Sequence, residues 1–507
     1  MNKLLKFLTG RIFIISVLIV LQVCILLVGI IFLSSYYVWF YLAMFVLSII
    51  ITCVIINRNC NPSFKIAWII PILIFPICGG LFYLIFGRTH LGKFSLEKLN
   101  ASIDSVKYLT PVDETIMERL AAESPYKLRQ ARYICQNAYS SVYAGTKTEF
   151  FSPGSKFYPR LLSELDKAEE FIFLEYFIIK PGDMWSAVLT KLIAKVKQGV
   201  EVRLIYDDIG TINTLPPDYA NTLNKLGIKT VVFNPYKPTM NKVMNYRDHR
   251  KFAIIDGKVA FTGGVNIADE YINRIERFGF WEDCCIMLDG DAVNKVTAMY
   301  IQMWNFATGT TDDCKKYLTD YKAEEDGFVI PFSDEPLDQN LVCENAYINI
   351  ISSAKKYVYI CTPYLILDDV MTAVLIRAAQ SGIDVQIITP HIPDKKLVFM
   401  MTRSNYKDLL LGGVKIYEFS PGFIHSKVIV SDDEVAIVGT SNFDYRSFYL
   451  HFENGVWMYK SSAVKSALNA HLKVREASCQ ITMQFVNNIS FPKRVLSSLL
   501  KLFAPLL

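Results

Sequence analysis

Histidine is scarce in this chain, and the cysteines lack any pattern that would predict a metal site or a disulfide framework. Six histidines occur among 507 residues. The eleven cysteines are odd in number, and none has the CxxC spacing that is typical of zinc ligands. We therefore expect a protein of a reducing compartment, without structural zinc and without disulfides.

Charge is absent from two long stretches near the N-terminus. Residues 12–33 and residues 36–56 contain no charged side chain, and each is about as long as the roughly 20 residues that cross a bilayer. A secretory signal is the alternative, but the apolar core is too long, no small-residue cleavage site follows, and a second stretch comes at once. We predict two retained membrane spans.

A third apolar stretch, 66–86, is interrupted by Pro71, Pro76, Gly79 and Gly80. Basic residues flank all three stretches, and the positive-inside rule places each basic group in the cytoplasm. Two full spans satisfy that rule, whereas a third would carry the rest of the chain outside. We predict a re-entrant or interface-lying element over 66–86. A third helix, kinked at its prolines, is the alternative.

His249 and His425 each begin the same pattern. The first copy reads HRKFAIIDGKVAFTGGVN and the second reads HSKVIVSDDEVAIVGTSN. In both copies a lysine follows two residues after the histidine, and an asparagine lies 17 residues after it. The first copy supplies Lys251, Asp256, Gly263, Gly264 and Asn266, and the second supplies Lys427, Asp432, Gly439, Thr440 and Asn442 at the same spacings.

This spacing has a chemical meaning. An alternating strand follows each histidine, so the histidine and lysine side chains lie on one face. The small residues let the backbone approach a ligand closely, and the asparagine amide can donate a hydrogen bond to it. Two such sets that face each other would form a cationic pocket suited to a phosphodiester. One histidine can attack phosphorus while the other protonates the leaving oxygen.

The sequence around the two motifs is also duplicated. ELDKAEEFIFLEYFII at 164–179 corresponds to IISSAKKYVYICTPYL at 350–365. Each half reads helix, strand, helix, strand and then the motif strand, which predicts a duplicated α/β sandwich with mostly parallel sheets. The predicted domains are a membrane anchor at 1–88, a helical connector at 89–147, the two halves at 148–330 and 331–485, and a basic amphipathic tail at 486–507.

With two HxKxxxxD motifs, the chain resembles the phospholipase D superfamily. Further matches narrow the resemblance to the bacterial cardiolipin synthases: NPSFKIAWIIPILIFPICGGLFYLIFGR at 61–88, FLEYFII at 173–179, GGVNIADEY at 263–271, TPYL at 362–365 and SNFDYRSF at 441–448. The resemblance implies that a phosphatidyl group passes between two phosphatidylglycerol molecules through a phosphatidyl-histidine. It also implies that His249 attacks and that His425 is the acid. No metal or other cofactor is expected, because Lys251, Lys427 and the amides of Asn266 and Asn442 supply positive charge.

Family enzymes orient each histidine with a carboxylate downstream of its motif, and the candidates here are Asp283 and Glu453. Glu282 competes with Asp283, because strand alternation lets only one of the two neighbours face the site. Which carboxylate serves which histidine stays open. The motif aspartates, Asp256 and Asp432, lie on the turn after the motif strand, and we expect a structural role for them. Gly264 and Thr440, in the small-residue turns, are candidates for substrate binding together with the two asparagines.

Three alternatives remain. A hydrolytic phospholipase D would share every catalytic residue and differ only in admitting water. A phosphodiesterase for nucleic acid would need a basic groove with base-stacking aromatics, for which the sequence gives no sign. A non-enzymatic scaffold would be expected to have lost a motif residue. The net charge of +5, beside a membrane, suits anionic lipid.

We therefore predict a multi-pass enzyme of the bacterial cell membrane with its catalytic region in the cytoplasm. We expect it to bind phosphatidylglycerol and other anionic phospholipids and no nucleic acid. Whether it forms a homo-oligomer stays open.

Overall fold

The computed structural model describes residues 36–75, 93–235, 246–337 and 340–506, with Val20, Cys24, Gly79, Gly80, Tyr83 and Gly87. Apart from Val20 and Cys24, the predicted span at 12–33 lies outside the described residues. The described chain forms two compact units. One contains the residues before Lys93 and those from Ser498 onward, and the other contains the residues between them.

In the first unit, two helices follow each other, Tyr37–Ile56 and Pro62–Ile74. The stretch Val38–Ile56 is the one helix in the described part of the chain that is long and apolar enough to cross a membrane, and it coincides with the predicted span at 36–56. Most of its side chains are exposed, as lipid contact would require. Asn61 begins the second helix, because its side chain accepts a hydrogen bond from the backbone N–H of Ser63.

Gly79 and Tyr83, two of the described residues that follow this second helix, lie close to it. A Cβ at Gly79 would be 2.5 Å from the carbonyl oxygen of Pro71, and the rings of Trp68 and Tyr83 are 5.4 Å apart in an edge-on contact. In one straight helix, residues eight positions apart would be separated by about 12 Å along the axis. The described residues of 66–86 therefore do not form one straight helix, and only glycine fits at the close approach.

The second unit contains both motif-bearing halves, each built on a mixed sheet. The seven-stranded sheet of the first half has the order β1-β9-β7-β6-β2-β3-β4. Its strands are β1 (Thr146–Phe151), β2 (Phe171–Tyr176), β3 (Glu201–Asp207), β4 (Lys229–Phe233), β6 (Phe252–Ile255), β7 (Val259–Gly263) and β9 (Cys285–Gly290), and the short strands β5 (Arg247–Asp248) and β8 (Phe280–Glu282) lie outside it.

The second half repeats this arrangement in the order β10-β19-β17-β16-β11-β13-β14-β20. Its strands are β10 (Phe328–Asp334), β11 (Tyr357–Cys361), β13 (Asp384–Pro390), β14 (Lys415–Phe419), β16 (Val428–Ser431), β17 (Val435–Gly439), β19 (His451–Tyr459) and β20 (Ser478–Ile481), and the short strands are β12 (Leu365–Ile366), β15 (Gly422–Ile424) and β18 (Phe443–Asp444).

The α/β class is confirmed, but the prediction of mostly parallel sheets is wrong. Along these two strand orders, only β2-β3 and β3-β4 are parallel in the first sheet, and only β11-β13 and β13-β14 in the second. In each half the motif strand turns back in a tight hairpin and pairs antiparallel with the strand that follows. A helix crossover connects the two strands of each of these parallel pairs.

Helices cover the two sheets and fill two large apolar cores, one for each half. Met117, Leu120 and Ile134 of the predicted connector belong to the core of the second half. Trp457 Nε1 of β19 donates a hydrogen bond to Gln130 Oε1 of the same connector at 3.0 Å. The helices Glu114–Glu123 and Pro125–Asn137 of the connector therefore pack as part of the second half, whereas the helix Lys93–Asp104 contacts the helix Val293–Thr308.

The helices of this second unit are Lys93–Asp104, Glu114–Glu123, Pro125–Asn137, Phe157–Lys167, Asp183–Lys197, Asp208–Thr211, Tyr219–Lys225, Val293–Thr308, Val342–Ser353, Asp369–Gln380, Lys396–Ser404, Tyr406–Leu411, Tyr445–Tyr449, Ser462–Glu476 and Met483–Asn487. The helix Phe491–Phe503 lies in the predicted tail, has no buried residue and continues into the first unit.

Candidate active site

Two short parallel strand pairs join the halves, and each sets the position of one motif histidine. Strand β5, which precedes His249, pairs with the first two residues of β19 in the other half. The backbone N–H of His249 continues this ladder by donating to the carbonyl of Phe452 at 3.0 Å. Strand β15, which precedes His425, pairs with β8, and the N–H of His425 donates to the carbonyl of Glu282 at 2.6 Å. The next residue of each partner strand is a carboxylate.

Each histidine is therefore held by a carboxylate of the opposite half. Nδ1 of His249 lies 2.9 and 3.0 Å from the two carboxylate oxygens of Glu453, and Nδ1 of His425 lies 2.8 Å from Oδ2 of Asp283. An ionised carboxylate can only accept, so Nδ1 carries the hydrogen and Nε2 keeps its lone pair. The pairing that the sequence left open thus crosses between the halves.

Of the two neighbours Glu282 and Asp283, only Asp283 faces a histidine. The Glu282 side chain accepts a hydrogen bond from the Ser152 hydroxyl at 2.5 Å, as strand alternation requires. Burial raises the pKa of Glu282 to about 7. The rival candidate is therefore excluded as the partner of His425.

The small residues of both motifs make room for these carboxylates. A Cβ at Gly264 would lie 2.0 Å from Oδ1 of Asp283, so only glycine fits there. At the equivalent position of the second motif, the Thr440 hydroxyl donates to Oε2 of Glu453 at 2.5 Å. Both residues, which the sequence offered as substrate-binding candidates, contact the orienting carboxylates.

The two motif lysines are buried, each being 1% exposed. The ammonium of Lys251 donates to the carbonyl of its own motif histidine at 2.5 Å, and Lys427 makes the equivalent bond to His425. Burial lowers the pKa of Lys251 to about 7 and that of Lys427 to about 8. The charge of Lys427 also lowers the pKa of Lys251, so the two motifs share one electrostatic environment.

The protonation states of the histidines follow from burial as well. Burial lowers the pKa of His249 well below its usual value and that of His425 to about 4. Burial alone would raise the pKa of Glu453 and Asp283, but their histidine partners hold both below the usual range. Near neutral pH the pairs are thus neutral imidazole and carboxylate, which leaves a nucleophilic nitrogen on each ring.

The side chain of each motif asparagine makes at least one hydrogen bond within the protein. Asn266 accepts from the backbone N–H of Ile178 at 2.9 Å and donates to the Tyr271 hydroxyl at 2.9 Å. Nδ2 of Asn442 donates to Asp444 at 3.3 Å, and its Oδ1 has no partner within the described residues. Each Nδ2 carries two hydrogens, so one remains for a ligand.

The motif aspartates accept hydrogen bonds from backbone N–H groups at the start of a neighbouring strand. Asp256, which has a positive φ of 51°, accepts hydrogen bonds at 2.8 Å from three consecutive N–H groups that precede and begin β2, those of Glu169, Glu170 and Phe171. Asp432, with φ at 57°, accepts from Lys355, Lys356 and Tyr357 in the same way. These contacts fit the structural role that was expected for both aspartates.

Aromatic rings pack around the two histidines. The ring centroid of Phe177 lies 5.1 Å from that of His249, while those of Tyr271 and Trp281 lie 5.4 and 5.5 Å from that of His425. These rings exclude water from the imidazoles and account for the burial that shifts their pKa values.

One residue near the site was given no role by the sequence. His451 lies outside the duplicated motif, yet its ring centroid is 5.3 Å from that of His249, and its Nδ1 is 3.5 Å from Oε1 of Glu453. The sequence feature that could have identified it is its position two residues before Glu453, which places both side chains on the same face of the strand. It could be recognised only once Glu453 was known to face His249.

This duplicated α/β fold, with one His–Lys pair in each half, has the architecture of the phospholipase D-like proteins. A family model described as "Cardiolipin synthase, PLD-like domain" matches residues 161–304 and 347–473. A second, described as "Phospholipase_D-nuclease N-terminal", matches residues 46–88.

Relatives match nearly the whole chain. A cardiolipin synthase of Alkalihalophilus pseudofirmus is 35% identical over 90% of this chain and 91% of its own length. An uncharacterized protein of Streptococcus mutans is 43% identical over 89% of this chain and 98% of its own length. This chain therefore belongs to the cardiolipin synthase family of phospholipase D-like proteins.

Among solved structures, the phosphatidylserine synthase of Haemophilus influenzae has the same fold. It superposes with a TM-score of 0.56 over 76% of this chain and 98% of its own, at 14% sequence identity. The likeness supports the phospholipase D-like architecture of both halves.

Proposed function

We propose that this protein is a cardiolipin synthase that transfers a phosphatidyl group from one phosphatidylglycerol to a second, releasing glycerol. The observation that carries this proposal is the hydrogen bond from Nδ1 of His249 to Glu453, because it leaves Nε2 as a buried, unprotonated nucleophile. Membership of the cardiolipin synthase family supports phospholipids as the substrates.

In the first step, Nε2 of His249 attacks the phosphorus of phosphatidylglycerol. The bond from phosphorus to the glycerol headgroup breaks, and a phosphatidyl-histidine forms. His425 donates the proton that the departing glycerol oxygen needs. The anionic phosphodiester favours the imidazolium form of His425, which offsets the lowering of its pKa in the empty site.

In the second step, His425 is neutral and takes the proton from a headgroup hydroxyl of another phosphatidylglycerol. The resulting oxygen attacks phosphorus, and the bond between phosphorus and His249 breaks. Cardiolipin leaves, and His425 regains the proton that it gave up. The two histidines thus return to their starting states, and no other co-reactant is consumed.

Charge on the non-bridging oxygens is stabilised by the motif cations and amides. Lys251 and Lys427 supply positive charge inside a buried pocket, where it acts strongly. The free Nδ2 hydrogens of Asn266 and Asn442 donate to the same oxygens. The lysines take the part that a metal ion plays in other phosphoryl-transfer enzymes, so this mechanism uses no cofactor.

We also propose that the protein is multi-pass, with the catalytic region on the cytoplasmic side. The apolar helix Val38–Ile56 and the uncharged stretch at 12–33 supply two spans. The contact of Gly79 with Pro71 supports a re-entrant 66–86, which adds no third crossing. The basic residues on both sides of these segments then all lie in the cytoplasm.

Trapping the covalent intermediate tests the mechanism. After rapid quenching with labelled phosphatidylglycerol, His249→Ala should carry no label. His425→Ala should label His249 slowly and then retain the label, because the variant lacks both the acid of the first step and the base that releases the adduct. An adduct that maps to His425 would reverse the roles of the two histidines.

A further inference from the structure

His451 is a buried histidine close to the active site. Its side chain is 8% exposed, and neither of its ring nitrogens has a hydrogen-bond partner among the described residues. Buried imidazole nitrogens are normally satisfied. Its Nδ1 lies 3.5 Å from Oε1 of Glu453, which is beyond a normal hydrogen bond.

Together with His249 and Glu453, His451 completes a set of three ligands. One ligand atom from each residue lies within 4.8 Å of the other two, and all three residues are buried. Two imidazoles and one carboxylate form a common zinc set, in which bonds of about 2 Å leave a fourth position open. Mg²⁺ and Ca²⁺ prefer oxygen ligands and fit this set poorly.

We propose that His249, His451 and Glu453 form an inhibitory Zn²⁺ site. Zinc replaces the proton on Nδ1 of His249, and that proton leaves to solvent. Glu453 then binds the metal instead of orienting the imidazole, and the positive ion withdraws electron density from the attacking ring. The inhibition rests on the proposed role of His249 as nucleophile, whereas the binding does not.

The other half of the site supplies an internal comparison. His425 and Asp283 form the equivalent pair, but within the described residues no third histidine, cysteine or carboxylate completes a ligand set around them. His391 offers a second comparison, because its Nδ1 lies 2.9 Å from Glu418 without a further histidine. Each of these pairs supplies two ligands, whereas His249, His451 and Glu453 supply three, so the two pairs are internal controls for the third ligand.

Direct binding to the full-length protein in detergent provides the first test. Zinc affinity is measured by competition with a chromophoric chelator for the wild type, His451→Asn and His391→Asn. We expect one zinc per chain in the wild type and in His391→Asn, and an affinity weaker by roughly tenfold or more in His451→Asn. Thermal unfolding without metal verifies that all three are folded. Equal zinc affinity of His451→Asn and the wild type would overturn the site.

Inhibition is measured separately, and the rate of each variant in excess EDTA serves as its own reference. Zinc at one equivalent should inhibit the wild type, EDTA should restore its rate, and His451→Asn should need roughly tenfold more zinc. Zinc that binds without slowing the wild type would overturn the inhibitory role. A protein that binds zinc through His451 but makes no cardiolipin would instead refute the proposed function and leave the metal site standing.

Discussion

Glu453, in the second half of the chain, accepts the Nδ1 hydrogen bond of His249, in the first half, across 204 residues of sequence. Asp283 and His425 make the reciprocal contact across 142 residues. Neither motif histidine therefore has its orienting carboxylate in its own half. The duplication yields one site only when the two halves pack together.

Removing the charge of an orienting carboxylate should impair catalysis without loss of the fold. Glu453→Gln and Asp283→Asn keep the size of the side chain but no longer fix the tautomer that leaves Nε2 free. We expect kcat to fall by roughly 10²- to 10⁴-fold. Steady-state rates with phosphatidylglycerol in mixed micelles measure this effect.

Glu282→Gln is the matched control. Glu282 is adjacent to Asp283 and also buried, but its side chain accepts a hydrogen bond from Ser152, and burial raises its pKa to about 7. Its rate should stay within about twofold of the wild type. Loss of activity in Glu282→Gln equal to that in Asp283→Asn would contradict the assignment of Asp283.

Substitution of the motif aspartate should lower stability, whereas substitution of the motif lysine should lower the rate of turnover. Asp256→Ala removes three hydrogen bonds and should lower the free energy of unfolding by about 3 kcal/mol. Lys251→Met should reduce turnover by orders of magnitude and leave the thermal midpoint nearly unchanged or raised, because a buried charge is lost. Thermal unfolding and rate measurements on both variants separate these effects. A stable but inactive Asp256→Ala would show that Asp256 acts in catalysis.

The alternation of helices and strands in each half predicted the α/β class. The duplicated motif singled out the histidines and the lysines as candidates, because spacing in a strand determines which side chains share a face. It could not predict the crossed carboxylates, because the pairing of β5 with β19 and of β15 with β8 joins segments far apart in sequence. Strand direction was mispredicted for the same reason. Periodicity identifies a strand but does not specify its partner.

The pH dependence should show the titration of the lysines. Lysine is charged below its pKa, so the free enzyme loses positive charge as pH rises through about 7 to 8. We expect kcat/KM to fall across this range, because an anionic substrate is bound less well. In Lys251→Arg the side chain with the lower pKa keeps its charge at high pH, and the decline should be displaced upward, toward the pKa of Lys427. A value of kcat/KM that stays constant to pH 9.5 would contradict charged lysines as the anion-binding groups.

Membrane topology can be tested by cysteine accessibility in intact cells. Single cysteines at Ser63 and Thr89, introduced after replacement of the exposed Cys24, Cys53, Cys60 and Cys479, should both be shielded from an impermeant thiol reagent added outside. Both should react after permeabilisation. Labelling at Thr89 alone from outside would demonstrate a third crossing and place the catalytic region outside the cell.

The central claim is that the phosphatidyl group passes to a lipid hydroxyl and not to water. The most direct measurement is mass spectrometry of the products that purified full-length protein forms from isotopically labelled phosphatidylglycerol in liposomes. The account predicts cardiolipin and free glycerol in equal amounts, both abolished by His249→Ala. Phosphatidic acid as the main product of the membrane-embedded protein would contradict it and identify a hydrolytic phospholipase D.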